Sequence, residues 1–151
     1  MGAPLLPDGL EELRLRRNFN LSIENIRLPV GLKRLMITFQ SKFDQGLTGV
    51  MWPPGLKELD LRGSFNQPME RIPVPETLRE LSLGQAFTYS LQGVALPDGL
   101  ERLPFCMNYP SSHIFAMDWP RCLRRLHVAS SRFGCKESVD SARRVTHPRV
   151  A

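Results

Sequence analysis

The sequence of 151 residues predicts a repeat solenoid, a chain wound into about six coils. Three observations lead to this fold class. One phrase recurs along the chain with a period of 22 to 24 residues, two positions within the phrase are always leucine, and an aromatic residue follows at a nearly constant distance. A period of this length is typical of solenoids, in which each coil buries its apolar side only by stacking on its neighbours.

Each copy begins with a proline, and leucine stands three and six residues later. In the third copy these residues are Pro53, Leu56 and Leu59. Proline fixes its own φ and favours an extended residue before it, so Pro-x-x-Leu is expected to form a turn that leads into a strand. The copies begin at Pro7, Pro29, Pro53, Pro75, Pro97 and Pro120.

The segment after the turn alternates as a short β-strand does. Leu59 and Leu61 are expected to face inward and Asp60 outward, because successive side chains of a strand point to opposite sides. Two internal leucine columns follow from this alternation. They are Leu10, Leu32, Leu56, Leu78, Leu100 and Leu123 in one column, and Leu13, Leu35, Leu59, Leu81, Leu103 and Leu126 in the other.

An aromatic residue follows the strand in every copy and is expected to complete the core of its coil. It stands twelve residues after the proline in four copies, and an insertion of two residues displaces it in the second copy. In the sixth copy it comes one residue late. The aromatic residues are Phe19, Phe43, Phe65, Phe87, Tyr109 and Phe133.

The third copy continues as Phe-Asn-Gln-Pro-Met at 65–69, and the first as Phe-Asn-Leu-Ser-Ile at 19–23. Together with Leu-Pro-x-x-Leu-x-x-Leu-x-Leu, these segments resemble the FNIP repeat, a variety of leucine-rich repeat, over about residues 5–133. The resemblance implies a leucine-rich-repeat-like solenoid with short parallel β-strands, mostly irregular or turn connections on the other side, and a role in protein binding. Some members carry an F-box. No such segment is visible here, so an adaptor role in ubiquitin ligation is not carried over.

The chain is expected to divide into a solenoid at 1–133 and a polar basic tail at 134–151. The tail has few large apolar residues and several charges, and it is predicted to be disordered. Copy five is irregular because Pro104 stands in the middle of its strand, where it removes a hydrogen-bond donor. We therefore expect the array to be weaker from Leu100 onward.

Charge and cysteine content restrict the class of function. The formal net charge is +5, which makes nucleic acid or an acidic protein a candidate partner. Three cysteines without a disulfide-scaffold spacing indicate a reducing compartment. Neither a secretory signal nor an apolar run long enough for a membrane span is present, so a cytoplasmic or otherwise intracellular location without membrane contact is expected.

No catalytic pattern is found. A nucleophile elbow, a Gly-rich phosphate loop and a His-Glu-x-x-His segment are all missing from the sequence, so neither an enzyme nor a cofactor is expected. The spacings of His113, Cys122, His127 and Cys135 match no recognised zinc pattern, and no metal is expected.

The outward side chains of the strands form the expected binding surface. Glu12, Arg34 and Glu58 alternate in charge on neighbouring strands. Arg34 is therefore expected to pair with these glutamates and Asp60 with Arg62, so much of the charge is neutralised internally. No aromatic residue lies on this surface, so a nucleic-acid base would find no side chain to stack on, which argues against nucleic-acid binding. The function expected is a non-enzymatic protein–protein interaction module with an unknown protein partner. Two alternatives remain open: a fragment of a longer repeat protein without independent activity, and weak nucleic-acid binding through basic residues. The candidate contact residues are Arg14, Arg16, Met36, Thr38, Asp60, Arg62 and Ser82.

Overall fold

The computed structural model is a solenoid built on one parallel sheet, and it describes residues 6–38, 40–105, 109, 113 and 119–128. Six strands lie side by side in chain order, as expected. The predicted solenoid boundary at 133 and the tail at 134–151 lie outside the described residues. The strands are β1 (Glu12–Leu15), β2 (Arg34–Ile37), β3 (Glu58–Leu61), β4 (Glu80–Leu83), β5 (Arg102–Phe105) and β6 (Arg125–Val128).

Each Pro-x-x-Leu segment forms the predicted turn. In the third coil the Leu56 N–H donates to the Pro53 carbonyl at 3.2 Å, and the equivalent bond closes the turn in the other five coils. The next two amides then donate to the preceding coil. Those of Lys57 and Glu58 share the Lys33 carbonyl at 2.8 and 3.1 Å. One phrase of sequence thus makes the turn, starts the strand and sets its register against the coil before it.

The predicted leucine columns form the core. Leu35, Leu59 and Leu81 are partners in register on β2, β3 and β4, and each is at most 1% exposed. Leu32, at the start of the same coil as Leu35, is also fully buried. The prediction of an internal stack is therefore confirmed.

The aromatic residues form a second continuous stack beside the leucines. Ring centroids of Phe43 and Phe65 are 6.2 Å apart, as are those of Phe65 and Phe87, and the planes within each pair are tilted by 11° and 1°. Phe19 and Tyr109 extend the stack at either end, each 5.9 Å from its neighbour. These centroid distances lie within the favourable range for aromatic pairs. Phe133 lies outside the described residues.

Ser41 compensates for the two extra residues of the second coil. Its hydroxyl donates to the Phe19 carbonyl at 3.0 Å and accepts the Phe43 N–H at 3.2 Å. The Ser41 carbonyl in turn accepts the Ser64 N–H of the next coil at 3.1 Å. The insertion is thus folded back by polar contacts, and Phe43 keeps its place in the aromatic stack.

A polar ladder, which the sequence analysis missed, runs beside the aromatic stack. The Asn20 side chain accepts the Asp44 N–H at 3.0 Å, Asp44 accepts the Asn66 N–H at 2.8 Å, and Asn66 accepts the Thr88 N–H at 2.9 Å. The side chain of the residue after the aromatic therefore holds the backbone of the next coil in place. The same position in the fifth coil is Pro110, which has no N–H to donate.

Pro104 interrupts the sheet as predicted, but only on one side. Between β4 and β5 the paired residues are Glu80 with Arg102 and Leu83 with Phe105, whereas β3 and β4 pair along their full length. By the alternation of a parallel ladder, the amide at position 104 faces the Leu81 carbonyl. The two central residue pairs between β4 and β5 would need this N–H group, which proline lacks, and they are not formed. On its other side Pro104 pairs with His127, and the register with β6 is complete.

Replacing Leu59 by alanine should reduce the free energy of unfolding by about 2–5 kcal/mol, because it removes buried apolar surface and leaves a cavity. Denaturant-induced unfolding measures this change. Leu21→Ala is the matched control, since Leu21 is 71% exposed. Equal stabilities for the two variants would contradict the stacked core.

Replacing Pro104 by serine, the residue type of β4 at this level, should slow amide exchange in β4 and β5. The new N–H restores a hydrogen bond of about 0.5–1.5 kcal/mol, while the loss of proline frees the unfolded chain by a similar amount. Total stability should therefore change little. Exchange monitored by NMR should show slower opening at Leu81 and Leu83, and Pro54→Ser, outside the strands, should leave their rates unchanged.

Candidate functional site

The outward side chains of the six strands form the candidate site, which we call the strand face. Parallel pairing in register aligns these side chains in rows across the sheet, with neighbours about 4.8 Å apart. The first row is Glu12, Arg34, Glu58, Glu80, Arg102 and Arg125, and the middle row includes Arg14, Met36, Asp60 and Ser82. Arg16, Thr38, Arg62 and Gly84 follow at the ends of the first four strands.

The structure brings the candidate contact residues to this one face, but it exposes them unequally. Arg14, Arg16 and Arg62 are exposed, and Met36 and Thr38 are half-buried. Asp60 and Ser82 are buried, with 5% and 4% of their surface exposed. A molecule that approaches the face therefore meets the arginines first, while Asp60 and Ser82 form the floor of the middle row.

Asp60 holds Arg62 in place. The Asp60 carboxylate accepts from Nη2 of Arg62 at 2.6 Å, from its Nε at 3.0 Å, and from its backbone N–H at 3.0 Å. The expected pairing of these two residues is therefore present. Ile37 and Leu61 do not pair at the end of β2 and β3, where the Arg62 amide donates to the Asp60 side chain. The aspartate is a positioning residue for the guanidinium above it.

The first row contains two ion pairs between neighbouring strands. Arg34 donates to Glu12 at 2.7 Å, and Arg102 donates to Glu80 at 2.8 Å. Glu12 also accepts from Arg14 on its own strand. Among the ion pairs of the described residues, Arg34 pairs with Glu12 and not with its other neighbour Glu58. The expected pairing of Arg34 with Glu12 is therefore confirmed, whereas the described residues show no ion pair between Arg34 and Glu58.

The guanidinium groups of the face stand above the carboxylates. The side chains of Arg14, Arg34, Arg62 and Arg102 are 46–47% exposed, whereas their acidic partners are 8–27% exposed. A long side chain extends its charged end into water while its stem covers the shorter acid. The face is thus internally paired, and yet its outermost groups are cationic.

The ion pairs perturb the acids of the first coil. Hydrogen bonds from Arg14 and, to a lesser extent, Arg34 hold the pKa of Glu12 below its ordinary value. The hydrogen bond and the charge of Lys33 do the same for the pKa of Glu11, which lies beside the face. Both carboxylates therefore remain ionised below the pH at which a free glutamate titrates.

Gly84 ends the row that follows the strands, and the sequence analysis did not assign it a role. A Cβ at this position would lie 2.7 Å from the Arg62 carbonyl, and at Gly63 it would lie 2.8 Å from the Ser41 carbonyl. Two coils therefore cross backbone to backbone beside the face. The signal in the sequence is a glycine close behind the strand in two successive coils: Gly84 directly follows β4, and Gly63 is the second residue after β3.

Within the described ranges, no cluster of three or more His, Cys, Asp or Glu side chains is placed to hold a metal ion. An open groove of about 390 Å³ lies where the proline turns of coils three and four meet, and it is lined mainly by Trp52, Pro54 and Pro73. In this part of the chain there is also no helix with the length and apolar character needed to cross a membrane.

The pKa values of Glu11 and Glu12 predict a pH dependence of the first coil. A depressed folded-state pKa stabilises the fold above the unfolded value, here 4.5, and the contribution is lost as pH falls through the folded-state pKa. An NMR titration of the two carboxyl carbons should give midpoints below 4.5. Lys33→Ala should return the Glu11 midpoint towards the ordinary value and leave that of Glu12 nearly unchanged. Equal shifts at both residues would contradict the assigned pairing.

Comparison with known proteins agrees with this architecture. The FNIP Repeat family model matches residues 43–86. No curated protein matches the sequence significantly. A solved protein described as "CroV588 a novel circular LRR protein structure" superposes with a TM-score of 0.58 and 30% sequence identity, over 72% of this chain and 16% of that chain.

This chain thus spans about a sixth of the length of that circular leucine-rich-repeat protein. The family match begins at the aromatic residue of the second coil, covers the third coil and ends just before Phe87 in the fourth. Within it the column leucines are buried, and Phe43 stacks on Phe65. Residues 43–86 therefore match the FNIP Repeat, and they lie within a parallel-stranded solenoid similar to the fold of a leucine-rich-repeat protein.

Proposed function

We propose that this chain is a non-enzymatic protein–protein interaction module and that the strand face is its binding surface. The observation that carries the proposal is the arrangement of charge on this face. Exposed guanidinium groups stand above carboxylates that are half-buried or buried. Such a surface offers directional donors to a partner while its own acids are already paired.

The rigidity of the sheet favours binding through this face. The strand amides are used between coils, and the aromatic stack and the polar ladder hold the coils from the other side. Side chains that are positioned before binding lose little conformational freedom when a partner arrives. Arg62, held by Asp60 through its guanidinium and its amide, is the best example.

The chemistry of the face favours an acidic protein segment as partner. The rows contain Arg14, Arg16, Arg34, Arg62, Arg102 and Arg125 against Glu12, Glu58, Asp60 and Glu80. Arginine binds carboxylates through two parallel hydrogen bonds, which gives both strength and orientation. Met36, half-buried in the middle row, adds an apolar contact of a type common in interfaces.

Two features support a protein partner over nucleic acid. The four carboxylates lie among the arginines and would repel a continuous phosphate backbone. No aromatic side chain stands in the described part of these rows to stack on a base. An intracellular, reducing setting also suits Cys122, which is free and exposed.

The structure constrains the variant that tests the face. Charge reversal at Arg62 would leave the buried Asp60 beside a second negative charge, which is costly for stability. We therefore choose the neutral double variant Arg14→Gln/Arg62→Gln. Arg71→Gln/Arg79→Gln is the matched control, because both arginines are exposed and neither belongs to the rows of the face.

The probe is a displayed library of random peptides, selected on the immobilised chain. Selected peptides should be rich in Asp and Glu, and their affinity should fall about tenfold or more in the face variant, as expected when an interface loses contacts worth at least ~1.4 kcal/mol. The control should bind like the wild type, and thermal melting should show that both variants fold.

Three outcomes would contradict the proposal: selected peptides without acidic residues, unchanged affinity of the face variant, or loss of binding only when residues 136–151 are deleted. The last result would assign binding to the basic tail. A gel-shift titration with duplex DNA and single-stranded RNA at physiological salt covers the remaining alternative, because specific retention there would favour nucleic acid.

A further inference from the structure

The groove between the proline turns of the third and fourth coils, which we call the turn groove, is separate from the strand face. It is lined by Trp52, four prolines, Glu76 and Thr77, and none of these residues belongs to the rows of that face. The second and fourth coils have Leu28 and Val74 at the position of Trp52, so the indole forms a larger wall than either could. The prolines have a fixed φ, and the groove therefore keeps its shape without a ligand.

The lining presents a carboxylate and no free side-chain donor. Nε1 of Trp52 is buried without a hydrogen-bond partner, so the indole contributes only carbon atoms to the surface of the groove. The Thr77 hydroxyl donates to the Leu56 carbonyl at 2.8 Å, and proline has no N–H and no polar side chain. Glu76 is the one ionisable side chain of the lining, and it is exposed. A ligand that matches these walls must bring both apolar surface and hydrogen-bond donors.

The carboxylate of Glu76 has no cationic partner within the described chain. No described residue forms an ion pair with it, and Arg79, three residues further on, donates instead to the Gly99 carbonyl at 2.8 Å. Asp98, the residue at the same level in the next coil, is also exposed and also forms no ion pair with a described residue. Two negative charges on neighbouring coils repel each other, and a bound cation would relieve this repulsion.

Exposed apolar side chains flank the turn groove. Met51 directly precedes Trp52 and is 75% exposed. Val30 is 66% exposed, and its carbonyl lies 4.0 Å from where a Cβ on Gly55 would stand, in the turn of the third coil. Apolar side chains gathered beside an open groove mark a surface that a partner covers.

We infer that the turn groove binds an arginine side chain of a partner protein. The stem and the guanidinium plane lie on the Trp52 ring and the prolines, and the guanidinium donates to the Glu76 carboxylate. Arginine suits this site because its delocalised charge stacks on aromatic rings while its planar fork of donors binds a carboxylate. Met51 and Val30 contact apolar residues that stand beside the arginine in the partner. This surface has the opposite preference to the strand face, which we propose for acidic segments.

The probe is a library of short peptides with arginine fixed at the centre, random flanking residues and no tryptophan, selected on the immobilised chain. The chain contains two tryptophans, so Trp119→Phe leaves Trp52 as the only one and makes its fluorescence a reporter of the turn groove. A selected peptide should change this emission saturably. The same peptide with citrulline, which keeps the shape of arginine without its charge, should bind about tenfold more weakly or worse.

Glu76→Gln should lower the affinity for the arginine peptide by about tenfold or more, because it removes the charge that the guanidinium meets. Asp8→Asn is the matched control and should bind like the wild type. Asp8 is an exposed carboxylate at the same position in the turn of the first coil, where Leu6 stands in place of tryptophan. Trp52→Leu should abolish binding, measured by titration calorimetry. Circular dichroism confirms that each variant folds.

The face variant Arg14→Gln/Arg62→Gln should bind the arginine peptide normally, so this inference and the proposed function fail independently. Selection that yields no peptide, equal affinity for the citrulline peptide, equal affinities of the Glu76 and Asp8 variants, or binding by the Trp52 variant would each overturn the inference. So would either of two other occupants. Emission that depends on chain concentration without peptide would place a second copy in the groove, and peptide binding only after deletion of residues 134–151 would assign the groove to the chain's own tail.

Discussion

Everything in this fold depends on the stacking of one coil on the next at the spacing of a parallel sheet. No coil has a core of its own. Leu59 is buried only because Leu35 and Leu81 lie beside it in register, and Phe65 only because rings stand on both sides. The repeat period is therefore under physical constraint, because extra residues must be folded back out of the way, as they are at Ser41, if the leucines are to stay in their columns.

The same constraint organises the strand face. The register that aligns the leucines inside also aligns the outward residues. Charged side chains of neighbouring coils therefore lie side by side, and they interact between coils as well as within one coil. Glu12 meets Arg34 because both stand one residue before a core leucine. The asymmetry of exposure then follows from side-chain length, because an arginine passes over the acid it binds and reaches solvent. The binding surface that we propose is a consequence of how the core is built.

Departures from the repeat show which parts of the coil are tolerant. The second coil holds two extra residues, and Ser41 folds them back with bonds to the coils on either side. The fifth strand contains Pro104, and only the pairs that need its missing amide are lost. In both places the leucine columns continue. The apolar residues keep their register even where hydrogen bonds between two coils are lost. Each leucine column extends over many coils, whereas a single hydrogen bond joins only two.

The sequence by itself determined the fold class, the six coils, the two leucine columns and the aromatic stack. These features repeat at fixed intervals, and a one-dimensional period is sufficient to specify a stack. It also indicated which residues point outward, since alternation along a strand is local. The interruption at Pro104 could be predicted for the same reason, because proline lacks an amide whatever surrounds it.

Only the tertiary structure decided what occurs between coils. Asp60 and Asn66 are both polar residues in the sequence, but one became the buried floor beneath Arg62 and the other a link to the Thr88 amide. Which side of Pro104 loses its pairing depends on where the amide at that position points in the sheet. Leu13 and Phe19 are less buried than Leu35 and Phe43 because, among the described strands, β1 has a neighbour on one side only, and not because of these residues themselves. Burial and hydrogen-bond direction depend on how two coils lie against each other, whereas a repeat motif describes only one coil at a time.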